Sequence, residues 1–165
     1  MNRIFSHCLY MLLIVFIVMG NATAQELENE KRYKSWTLKC FKQEKSTPSN
    51  CLLMQTIVLK ETNSRLLQMA IDKQEKQVAG RLTVPLGVFL PNGLTLQIDK
   101  GEKTSFPLLH CDQQGCHTTI RLNKDLIAGL KAGKQLTVTF SDMTQRSIGV
   151  PVSLQGFTLG FNHLK

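Results

Sequence analysis

The sequence predicts an all-β fold, a sandwich or barrel of about nine short strands with one short helix. Three observations predict it. Apolar and polar residues alternate with period two in segment after segment, as strands with one buried face require; Leu67/Met69/Ile71, Leu94/Leu96/Ile98 and Leu136/Val138/Phe140 are examples. Turn-forming residues separate these segments at short intervals, as in Thr62-Asn63-Ser64 and Asp99-Lys100-Gly101. Cys111 and Cys116 bracket Asp112-Gln113-Gln114-Gly115, the outline of a tight hairpin.

The chain has 165 residues, which suits one domain. Residues 1–24 are expected to be a signal peptide: Arg3 supplies a positive start, Cys8 to Met19 an apolar core, and Ala22-Thr23-Ala24 a small-residue cleavage site. That apolar core is short of the about 20 residues a membrane span needs, so no transmembrane segment is expected after cleavage. Cys8 leaves with the leader. Cys40, Cys51, Cys111 and Cys116 remain, and four cysteines in an exported chain imply two disulfides with three connectivities open. Removing residues 1–24 takes one of the 20 Lys/Arg and none of the 12 Asp/Glu, which leaves a charge of +7. Such a balance favours anionic partners such as lipid headgroups, acidic glycans or nucleic acid. The basic residues are scattered, however, with no run of five, so solubility is the ordinary explanation and no nucleic-acid partner is expected.

Along the chain, residues 25–33 are polar and charged and read as a flexible N-terminal tail before a single domain over 34–165. Trp36, Leu38 and Cys40 share one face of the first strand. A polar loop, Lys42 to Asn50, follows. Cys51 to Lys60 is apolar on both faces, as in a central strand. Leu67 to Ile71 and Val78 to Val84 continue the series, with a turn over Asp72 to Lys76. Pro85 to Gly93 is a proline-bracketed turn. Leu94 to Ile98 then pairs with the segment of Phe106 and Leu108 across a turn in which Gly101 is the expected positive-φ residue. Cys116 to Leu122 places Ile120 and Leu122 on one face. Asn123 is a helix N-cap, Asp125 lies in the first turn, and Leu126, Ile127 and Leu130 form one helical face ending at Lys131 and Gly133. Strand alternation resumes over Leu136 to Phe140 and Ile148 to Leu154, and Gly156 to Leu159 reads as the last strand. Phe157, Val150, Val152 and Leu96 are expected in the core, and Trp36 with them.

No catalytic constellation emerges. The G-x-S-x-G elbow, H-E-x-x-H and Cys-x-x-Cys are all missing. His110-Cys111 and Cys116-His117 suggest zinc ligands, but if Cys111 pairs with Cys116 then His110 pairs with His117 on the opposite face of the strands. Four ligands then cannot converge, and an exported chain would oxidise the thiols. No metal and no cofactor are therefore expected from this motif. The His110–His117 pair could bind a metal weakly or sense pH, against the ordinary alternative of two packed or solvated imidazoles. Asp99 and Asp112 are expected to bond the local backbone, as turn aspartates do.

The segments VPLGVFLPNGLTLQID, CDQQGC, LIAGLKAGK and VPVSLQGFTLGF, with Trp36-x-x-x-Cys40 and then Cys51, resemble the invasion-associated locus B family over roughly Lys34 to Phe161. The resemblance implies an exported, disulfide-bonded β-sandwich of immunoglobulin-like architecture and a link to entry into erythrocytes. It carries no catalytic residues. Disulfides Cys40–Cys51 and Cys111–Cys116 are expected, because each joins neighbours in sequence across a hairpin or an adjacent loop. Lys42, Lys45, Lys100 and Lys103, on loops, are candidate contacts for a host-cell surface, an acidic glycan or a membrane. The sequence leaves the oligomeric state open.

Overall fold

A computed structural model describes residues 27–41, 50–74 and 77–164. The expected signal peptide, Lys42 and Lys45 lie outside these residues. Two antiparallel sheets pack face to face, as the all-β, sandwich expectation requires. The larger is seven-stranded: β1 (Leu27–Tyr33), β2 (Trp36–Phe41), β3 (Asn50–Val58), β4 (Arg65–Gln74) and β5 (Gln77–Val84) run as a meander, followed by β9 (Gly115–Arg121) and the edge strand β8 (His110–Asp112). The smaller is four-stranded, in the order β11 (Ser147–Ser153), β10 (Gln135–Ser141), β6 (Leu94–Ile98) and β7 (Lys103–Phe106). Helix α1 (Lys124–Ala132) links β9 to β10, and α2 (Phe157–His163) follows β11. Among the described residues no helix is long and apolar enough to cross a membrane.

The inner faces supply one core. Leu53, Ile71, Leu82 and Ile120 from the large sheet meet Leu136, Val138, Val150 and Val152 from the small one. Trp36 and Phe157 are fully buried and meet edge to face at 5.2 Å. Phe157, Val150, Val152 and Leu96 are all buried, as the alternation predicts. The buried amide of Gln55 joins the layers. Its Nε2 donates to Ser153 O at 2.8 Å, its Oε1 accepts from Ser153 N at 3.1 Å, and the Trp36 indole N–H donates to the same carbonyl at 2.9 Å. Ser153 lies on an edge strand, and a side chain from the other sheet satisfies its backbone.

Three readings need correction. Residues 27–33, expected as tail, form β1 and pair with β2 from Leu27↔Phe41 to Tyr33↔Trp36. Four of the seven residues of this edge strand are charged, Glu28, Glu30, Lys31 and Arg32, and Tyr33 is its buried anchor, so the apolar pattern is too thin to announce a strand. The segment after Gly156 is a helix. Phe157, Gly160 and Leu164 face inward at helical spacing, whereas Leu159 is 56% exposed. Gly156 opens it at φ 89°, where a Cβ would collide with the Tyr33 carbonyl oxygen. In the β6–β7 turn the positive φ belongs to Asp99 (49°) and not to Gly101. The Asp99 carboxylate reaches beyond its own turn and accepts from Lys134 N and Gln135 N, at 3.1 and 3.0 Å, which ties the turn to the start of β10. Helix α1 forms as expected, with the Asn123 side chain accepting from Leu126 N at 2.8 Å.

Candidate functional site

The outer face of the large sheet carries a straight cross-strand row. Gln68 on β4 faces Thr83 on β5, Thr83 faces His117 on β9, and His117 faces His110 on β8. Period two puts all four side chains on the face opposite the core. Asp112 joins them, two residues along β8 from His110 and opposite Gly115, whose missing side chain leaves room for a diagonal contact to His117. Together with Arg81, Gln114 and Thr119 these residues line an open depression of about 450 Å³.

The hairpin beneath is held rigidly. Cys111 and Cys116 face each other in the ladder with Cα atoms 4.0 Å apart and form the expected disulfide, which fixes the register that sets His110 opposite His117. Cys40 and Cys51 are bonded likewise across β2 and β3. The guanidinium of Arg65 donates to the Gln114 carbonyl and, at 3.3 Å, to Gln68 Oε1, so β4 grips the hairpin turn. A Cβ at Gly115 would run into the Val84 carbonyl oxygen, and its φ of 137° suits only glycine.

His117 is the fixed member. Its ring is 10% exposed, Nδ1 lies 3.0 Å from Thr83 Oγ1, and Nε2 lies 2.9 Å from Asp112 Oδ1. His110 stacks on it with centroids 4.9 Å apart and planes 28° from parallel. Asp112 also accepts from Gln114 N at 2.7 Å, the local backbone bond expected of a turn aspartate. The hydrogen bond from His117, and then that from Gln114 N–H, hold its carboxyl below the ordinary carboxylate range. The ligating atoms of His110, Asp112 and His117 all lie within 4.8 Å of one another.

Asp112, His117 and Thr83 are connected like a nucleophile relay, but the setting does not suit acyl transfer. Thr83 is 6% exposed and sits mid-strand between two ladder partners, so the neighbouring backbone amides are committed to the sheet and not aimed at a substrate oxygen. The sequence reading found the His110–His117 pair and the turn bond of Asp112. It missed the Asp112–His117 contact and Thr83, both of which follow from period two once the register is known.

The candidate lysines lie elsewhere. Lys100 and Lys103 are exposed on the β6–β7 hairpin of the small sheet, and the structure does not bring them to the histidine row. Asp99 and Glu102 accompany them, so this hairpin is electrically mixed.

Comparison with known proteins agrees with this architecture. The chain is 26% identical over 148 residues to an invasion protein B homolog of Brucella abortus, covering 88% of this chain and 82% of that protein. It is 28% identical over 140 residues to invasion protein B of Bartonella bacilliformis, covering 80% and 72% respectively. The crystal structure of invasion associated protein B from Bartonella henselae superposes with a TM-score of 0.75 at 26% identity, over 82% of this chain and 94% of that one. The sequence model of the invasion associated locus B (IalB) protein matches residues 36–165, and the chain belongs to that family.

Proposed function

We propose that this chain is an exported, non-enzymatic binding protein that assists contact with a host cell, such as an erythrocyte, or its invasion, as a virulence factor. Family membership carries the reading: relatives bearing the name invasion protein B match across most of the chain. Two disulfides support export, because such bonds persist in oxidising compartments. The burial of Thr83 in mid-strand, 6% exposed between two ladder partners, supports binding over catalysis. The mature charge of +7 would draw the protein to acidic surfaces, with Lys42, Lys45, Lys100 and Lys103 as contributors. The mixed charge around Lys100 and Lys103 favours a second reading, a periplasmic or envelope housekeeping protein with an indirect link to invasion.

A deletion strain scored for host-cell invasion separates the two when complemented with the mature domain directed to different compartments. Rescue by surface-exposed or released protein alone is expected; rescue by protein confined to the periplasm overturns the contact reading. Binding to erythrocytes or acidic glycans should weaken as the Debye length falls from about 10 Å at 0.1 M salt to about 3 Å at 1 M. It should also weaken when Lys100 and Lys103 are both changed to Glu with the fold intact. Salt-independent binding would point to an apolar or shape-based contact.

A further inference from the structure

We propose that His110, Asp112 and His117 form a binding site for a divalent transition-metal ion on the outer face of the large sheet. The inference does not depend on the invasion reading. Two imidazoles and one carboxylate converge here, with all three ligating atoms inside 4.8 Å. This is a nitrogen-rich set suited to Zn²⁺, Cu²⁺ or Ni²⁺ and poorly suited to Mg²⁺ or Ca²⁺, which take oxygen ligands.

The support around His117 is of the kind metal ligands need. A ligating histidine usually donates its other ring N–H to a fixed acceptor, which sets the tautomer and the ring plane. Thr83 Oγ1, itself buried, stands 3.0 Å from His117 Nδ1 and can take that proton. In the unliganded site Nε2–H donates to Asp112 Oδ1; a bound ion takes the place of that proton between the two groups, while the proton on Nδ1 points at Thr83. Strands β8 and β9 are covalently tied by Cys111–Cys116, so the backbone that carries the three ligands needs little ordering on binding.

The geometry also states what must move. Ligands about 2.0–2.1 Å from a tetrahedral ion are about 3.3 Å from one another. The 2.9 Å separation of His117 Nε2 and Asp112 Oδ1 needs to open by only a few tenths of an ångström. His110 must do more. Stacked rings carry their in-plane lone pairs side by side and cannot aim both at one ion, so His110 has to turn out of the stack. It is exposed, on a three-residue edge strand, and free of the packing that fixes His117. Three protein ligands leave at least one coordination position, which opens onto the depression lined by Arg81 and Gln68.

The test is calorimetric titration of the oxidised protein with ZnCl₂, CuCl₂ and, as control, MgCl₂ in a non-chelating buffer, paired with imidazole NMR. Saturable one-to-one binding of zinc or copper is expected, with no heat from magnesium. The His110 and His117 ring signals should shift while those of His163, on α2, stay still. His110→Ala, at an exposed position that spares the fold, should weaken binding at least tenfold. Thr83→Val removes the proton acceptor without touching the ion and should weaken it by about 10–100-fold. His163→Ala should change nothing. No saturable binding, or undiminished affinity in His110→Ala with native circular dichroism, overturns the proposal. Shifts confined to His163 overturn it equally.

Discussion

Replacing Gln55 with Met should test how the two sheets are joined. Methionine keeps the length and volume of the side chain but removes both hydrogen bonds to Ser153. Each such bond is worth about 1 kcal/mol net, and a buried N–H left without a partner costs a further about 1–3 kcal/mol. The Ser153 carbonyl still has the Trp36 indole, so its loss is smaller than that of the N–H. The expected destabilisation is therefore about 2–4 kcal/mol. Trp36 is the sole tryptophan and is fully buried beside the latch, so its emission reports unfolding directly. With a urea slope of about 2 kcal/mol/M the midpoint should fall by about 1–2 M at unchanged slope. A fall of less than about 0.3 M would show that water or a backbone shift replaces the amide, and that the sheets are joined by apolar packing alone.

Three further outcomes can be measured in the same titration. Phe157→Ala should cost about 3–5 kcal/mol, because the ring is fully buried against Trp36, whereas exposed Lys103→Ala should stay within about 0.5 kcal/mol; similar losses would mean the faces are misassigned. Replacing the Cys111–Cys116 pair with serines should cost about 2 kcal/mol and the Cys40–Cys51 pair slightly more, following loop length, while unreduced peptide mapping that finds a Cys40–Cys111 link would overturn the pairing. The Asp142 carboxyl is held at about 2, first by the hydroxyl of Thr144 and then by Arg146, so its contribution is complete above the ordinary value of 3.8 and is lost as pH falls through about 2. Asp142→Asn should flatten that acid-side decline, and an unchanged slope between about pH 5 and pH 2 would refute the assignment.

The strands that were legible in the sequence are those with one dry face. Leu67/Met69/Ile71 and Leu136/Val138/Phe140 bury every second residue, and their alternation needs no structure to read. Helix α1 was legible because Asn123, Asp125 and Lys131 mark its two ends chemically. Strand β1 was not, since an edge strand facing water carries charges where a central strand carries valine. In α2, Phe157-Thr158-Leu159 mimics alternation, and only the more distant Gly160 and Leu164 reveal the helical period. The site was half visible. Adjacent cysteines gave the hairpin and hence the histidine pair, but Thr83 lies far upstream and reaches His117 only through the β5–β9 pairing, which no local pattern specifies.

The disulfide separations have a bearing on how the molecule is made. Among the described residues the cysteines are bonded in consecutive pairs, Cys40 to Cys51 and Cys111 to Cys116, over 11 and 5 residues, and the two loops neither enclose nor interlock with one another. A polypeptide delivered from its N-terminus into an oxidising space would present Cys40 and Cys51 as a finished couple before Cys111 appears. Correct pairing is then the order of arrival, and shuffling of mispaired thiols, the slow phase of many oxidative folding reactions, is largely bypassed.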